Sequence, residues 1–103
     1  MRIISLVANA AGTALTGLDS NDPNITMTDT GTGVKTIELG SSGFADTNYS
    51  VQVTTATADT HAEVSITDAN TFVVNTFDTG DGTTAKDAIC HILVIGSDTA
   101  DRT

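Results

Sequence analysis

From Tyr49 to Thr54, apolar and polar residues alternate one for one: Tyr49, Val51 and Val53 against Ser50, Gln52 and Thr54. The same period of two returns at Glu63–Thr67, where Val64 and Ile66 alternate with Glu63, Ser65 and Thr67. A period of two places one set of side chains on each face of an extended strand, and no helix can satisfy it. Further short runs occur at Arg2–Ala8, Ile25–Thr28, Val34–Leu39, Thr71–Phe77 and Ala88–Ile95. They are separated by turn formers: Asp29-Thr30-Gly31-Thr32-Gly33, Gly40-Ser41-Ser42-Gly43, Asp68-Ala69-Asn70 and Asp78-Thr79-Gly80-Asp81-Gly82. About seven short strands with regular turns predict an all-β chain, a single antiparallel β-sandwich or jelly roll. Composition agrees. Thr occurs 20 times and Asp far outnumbers Glu, which appears only as Glu38 and Glu63. Thr suits strands, Asp suits turns, and both are poor helix formers.

The chain has 103 residues, enough for one domain with a modest core. The pattern divides it into an N-terminal strand and arm over 1–24, the sandwich over 25–96 and a tail over 97–103. The segment Asn9–Asn24, with the one proline, Pro23, reads as an extended arm or loop. Only 4% of residues are aromatic and none is Trp, so stability is expected to rest on aliphatic packing and backbone pairing, with burial against a partner chain as a further source. Ala88–Ile95 is apolar on both faces and predicts a strand that is central or covered by another chain.

The formal net charge is −9. The four basic side chains, Arg2, Lys35, Lys86 and Arg102, are scattered. Nucleic acid and anionic membranes are therefore excluded as partners, because each needs a basic stripe. No run approaches the roughly 20 apolar residues of a membrane-spanning helix. The only cysteine, Cys90, rules out an internal disulfide and reads as a small buried hydrophobe. His61 lies in the polar stretch Thr57–His61, and His91 follows Cys90 within the last strand. Adjacent strand residues face opposite ways, so Cys90 and His91 cannot act as a nucleophile–base pair. The segments Asp78–Gly82 and Asp19–Asp22 carry oxygens, but neither has the ligand order of a calcium loop. Asp in such turns caps backbone amides. With no phosphate-cradling loop or hydrolase motif either, the residues predict no catalytic group, no metal and no cofactor.

One stretch, Gly43-Phe44-Ala45-Asp46-Thr47-Asn48-Tyr49-Ser50-Val51-Gln52-Val53-Thr54, resembles the strand entry of small β-sandwich modules in bacteriophage virion proteins. The likeness continues through Val64–Thr67, Thr71–Val74 and Ile92–Gly96, covering about residues 34–96. Tail-fibre-tip and H-type-lectin-like modules share this layout. Lectin-like modules often place a Trp in the last strand; here the matching positions are Ile92, Val94 and Gly96, which weighs against sugar binding. With no shaft-forming stretch, a short acidic β chain looks more like a head decoration (cement) protein. That resemblance implies a homotrimer, made in the host cytoplasm, that binds the major capsid protein on the capsid exterior and bridges its subunits. The alternative it implies is a fibre-tip or lectin-like module contacting a glycan or host receptor. The expected contacts are Ile3, Ile4, Leu6 and Val7 of the first strand, Leu15 and Leu18 of the arm, and Ile92 and Val94 of the last strand.

Overall fold

The computed structural model describes residues 1–97. The tail read as 97–103 lies, beyond Ser97, outside the described residues. Eight strands form among the described residues: β1 (Arg2–Ala8), β2 (Leu15–Thr16), β3 (Thr26–Gly31), β4 (Val34–Glu38), β5 (Ser50–Thr55), β6 (Thr60–Ile66), β7 (Thr71–Asp78) and β8 (Cys90–Gly96). They make two four-stranded antiparallel sheets, a front sheet in the order β2-β1-β8-β5 and a back sheet in the order β3-β4-β7-β6. The all-β reading and the sandwich are thus correct. The eighth strand is β2, two residues that no periodicity can mark.

Alternation decides which residues enter the core. Ile4, Leu6 and Ala8 of β1, Ile37 of β4, Phe72 and Val74 of β7, and Cys90, Ile92 and Val94 of β8 are all buried. β8 lies between β1 and β5, the interior position that its two-sided apolar run requires. The edges β5 and β6 are joined by residues 56–59, which carry the chain from front sheet to back sheet.

The stretch Asn9–Asn24, expected as an extended arm or loop, folds back along β1. Leu15 and Thr16 pair with Ala8 and Val7. The Asn9 carboxamide oxygen accepts the amides of Thr13 (2.8 Å) and Ala14 (3.1 Å). Asp19 accepts the Ser5 amide at 2.7 Å and donates its own amide to the Ser5 carbonyl at 3.1 Å. The physical reason is the exposed backbone edge of β1, whose amides and carbonyls need partners. Asn and Asp satisfy those groups locally, as their short side chains favour.

Three aromatic rings close one part of the core. Phe44 and Tyr49 stack with centroids 4.7 Å apart, and Tyr49 meets Phe72 edge-on at 6.4 Å. The Tyr49 hydroxyl donates towards the carbonyls of Asp68 (2.8 Å) and Thr71 (3.1 Å), pinning the β6–β7 turn. Burial, with the charge of Asp68 adding to it, pushes the phenol pKa up to about 12. The neutral phenol is therefore favoured by folding. Its contribution is complete below pH 10 and is lost as pH rises towards 12. Tyr49→Phe is expected to cost about 1 kcal/mol near neutral pH. It should also flatten the alkaline loss of stability between pH 10 and 12, which urea titrations at several pH values would show.

Candidate functional site: the outer face of the front sheet

Residues that alternate with the core positions of β1, β8 and β5 face outward. Strand register sets them in three rows: Ile3–Ile95–Ser50, Ser5–Leu93–Gln52 and Val7–His91–Thr54. Ile3 is 53% exposed, Leu93 and Ile95 are half-buried, and Ser50, Gln52, Thr54 and His91 are exposed. At the His91 end the surface dips into a shallow groove of about 320 Å³, bordered by Ser5, Val7, Gln52, Thr54, His91 and Leu93. Leu18, 86% exposed, borders the face along β1, between Thr16, which pairs with Val7, and Asp19, which bonds to Ser5. None of the nine positions carries a carboxylate, a lysine or an arginine. On a chain of net charge −9 this is an uncharged, partly apolar face.

The residues expected to make contacts divide sharply. Ile4, Leu6, Ile92 and Val94 are at most 2% exposed and belong to the chain's own core, so they offer no outward surface. Their inward turn follows from alternation, because Ile3, Val7, Leu93 and Ile95 take the outer positions. Ile3 and Leu18 are exposed, while Val7 and Leu15 are half-buried. The face adds Ser5, Ser50, Gln52, Thr54, His91, Leu93 and Ile95. Sequence alone gave no signal for these as a group, because they meet only through the β1–β8–β5 register.

The other candidates have local roles. Cys90 is buried and His91 exposed, on opposite faces of β8. The Cys90 thiol donates to the Ala88 carbonyl at 3.4 Å, and burial pushes its pKa up, with Lys35 pulling the other way. His61, expected in a polar turn, lies instead within β6, its ring 5.4 Å from that of Phe77. Asp22 accepts the Ser42 hydroxyl at 2.5 Å and the Asn24 amide at 2.9 Å. These bonds, that of Ser42 first, lower its pKa. Asp78 accepts the Gly80 amide at 2.8 Å. Among the described residues no three His, Cys, Asp or Glu side chains converge as metal ligands would.

Asp81 is the most strongly shifted of these turn carboxylates. It accepts the Thr84 hydroxyl and the amides of Thr84 (2.9 Å) and Thr83 (3.0 Å), which hold its pKa at about 2. The stability it contributes is present above pH 4 and disappears as pH falls towards 2. Asp81→Asn should therefore reduce the acid-side loss between pH 4 and 2, measured by denaturant midpoints.

Lys35 was not singled out by sequence as a functional candidate. It is 1% exposed, and its Nζ has no hydrogen-bond partner among the described residues. A signal was present, since Lys35 alternates in phase with Ile37 and Leu39, both fully buried.

No protein-family model, curated protein or solved structure matches the chain.

Proposed function

We propose that the chain is an adhesive structural protein, and specifically a decoration protein of a bacteriophage head that binds the capsid exterior and bridges capsid subunits. The observation that supports adhesion is the segregation of charge. Among the described residues the acidic side chains occupy turns, loops, edges and the back sheet, while the outer face of the front sheet is uncharged and partly apolar. A sheet face that holds Ile3, Leu93 and Ile95 at its surface gains free energy when another protein covers it. Interfaces of this kind are depleted in charge at their centre. The bacteriophage assignment draws on the resemblance of residues 34–96 to virion β-sandwich modules.

The test is co-sedimentation with purified heads from which the decoration layer has been removed, together with the heat resistance of those heads. Retention on the heads and a raised temperature of genome release are expected. Failure to bind heads, with retention on a glycan array, would assign the chain to the lectin-like class instead.

A further inference from the structure

We propose that Cys90 and Lys35 form an oxidisable pair: a hydroperoxide oxidises the thiol, and the amine captures the product in a covalent S–N bond that ties the two sheets together.

Burial singles out the amine. Apart from Tyr49 and Cys90, three polar side chains are buried among the described residues: Lys35, Ser42 and Thr76. The Ser42 hydroxyl donates to Asp22, and the Thr76 hydroxyl to the Lys86 carbonyl. Lys35 is 1% exposed, and its Nζ has no hydrogen-bond partner among the described residues. A desolvated lysine amine is, when unprotonated, a nucleophile. Cys90 is the only cysteine in the chain, so no second thiol competes for its oxidised sulfur.

The fold brings the two groups to one end of the core. Gly33 donates its amide to Asp87 at 2.7 Å, which joins the start of β4 to the segment before β8. Two residues beyond Gly33, Lys35 enters the core from the back sheet. Three residues beyond Asp87, past the fully buried Ala88, Cys90 enters it from the front sheet. Packed sheets stand about 10 Å apart. The flexible four-carbon stem of a lysine crosses much of that gap. Burial raises the Cys90 pKa and the Lys35 charge lowers it, so the ammonium lies within electrostatic reach of the thiol.

The chemistry balances with hydrogen peroxide as the oxidant. The O–O bond breaks, sulfur gains a hydroxyl to become a sulfenic acid, and the first water leaves. The unprotonated Lys35 nitrogen then attacks sulfur. The N–S bond forms, the S–O bond breaks, and the hydroxyl leaves with one amine proton as the second water. Sulfur loses two electrons, which the peroxide gains. A thiol this deeply buried reacts slowly, through brief openings of the sandwich. The amine beside it takes the sulfenic acid before a second peroxide arrives.

The test treats the folded full chain with hydrogen peroxide and maps its tryptic peptides by mass spectrometry. In the wild type, trypsin should fail to cut after Lys35. Residues 3–86 are then expected joined to 87–102, lighter by two hydrogens than the separate peptides, and dithiothreitol should release them. The tie should raise Tm by roughly 10 °C. Lys35→Leu should lose the joined peptide and carry two or three oxygens on Cys90 instead. Cys90→Ala should lose it without oxidation at that position. Circular dichroism checks that both variants fold, and the wild-type map decides alone if either does not. A wild-type Cys90 that stays unchanged or only gains oxygen, or a joined peptide that persists in Lys35→Leu, would overturn the proposal.

Discussion

Replacing Lys35 by methionine is expected to raise the stability of the protein by about 1–4 kcal/mol. That gain corresponds to an upward shift of roughly 4–8 °C in Tm per kcal/mol for a domain of this size. Lys35 is on the inner face of β4, directly across from Val74 of β7 and Asp29 of β3. Its side chain is 1% exposed, and Nζ has no hydrogen-bond partner among the described residues. The Asp29 carboxylate opposite it is exposed and accepts the Gly31 amide at 3.1 Å. An amine taken out of water without a partner costs stability in either protonation state. Methionine has a similar length, no polar head and enough flexibility to fill the same space. Urea denaturation of the two proteins measures the difference. A Lys35→Met protein less stable than the wild type would mean that the amine is paired in solution, and the unpaired reading would be wrong.

The second large effect is expected at Gly33, at the start of the strand that carries Lys35. Gly33 has φ +69°, and a Cβ built there would stand 2.5 Å from the Thr76 carbonyl oxygen and 3.1 Å from the Lys86 amide nitrogen. The close approach is used. Gly33 donates its amide to Asp87 at 2.7 Å, and its carbonyl accepts the Thr76 amide at 2.8 Å. Thr76 in turn donates its hydroxyl to the Lys86 carbonyl at 2.6 Å. The β3–β4 turn is thereby tied to the segment before β8. Gly33→Ala adds a left-handed penalty of about 1–2 kcal/mol to the displacement of this backbone junction, about 2–4 kcal/mol together. Gly82 provides the control. Its φ is +73°, and a Cβ there meets nothing within 4 Å. Gly82→Ala should lose only the conformational part, about 1–2 kcal/mol. Equal losses at the two positions would show that the contact with Thr76 and Lys86 is soft.

Local pattern made much of this fold legible. The strand runs at 2–8, 71–77 and 88–95 are visible because one face of each must be buried. The opposed faces of Cys90 and His91 follow from the same rule. Lys35 could have been flagged, since its phase with Ile37 and Leu39 places it inside; charge obscured what periodicity implied. β2 and the folding back of residues 9–24 were not legible. They depend on Asp19 and Asn9 bonding to a strand edge, and no run of residue types encodes that. The outer face of the front sheet escaped for a different reason. Its three rows draw on strands separated by about 35 residues or more, and register between such strands is a tertiary property. Ile92 and Val94, expected as contacts on the last strand, build the core, while Leu93 and Ile95, one residue out of phase with them, face outward.

On the phage head, this uncharged face is expected to be covered. Chemical footprinting of the two histidines on head-bound protein tests it directly. His91 stands on the face; His61, on β6 of the back sheet, serves as the internal reference. Modification of His91 by diethyl pyrocarbonate should fall at least tenfold relative to the dissociated chain, with His61 changing little. A His91 that reacts equally fast in both states would contradict the claim.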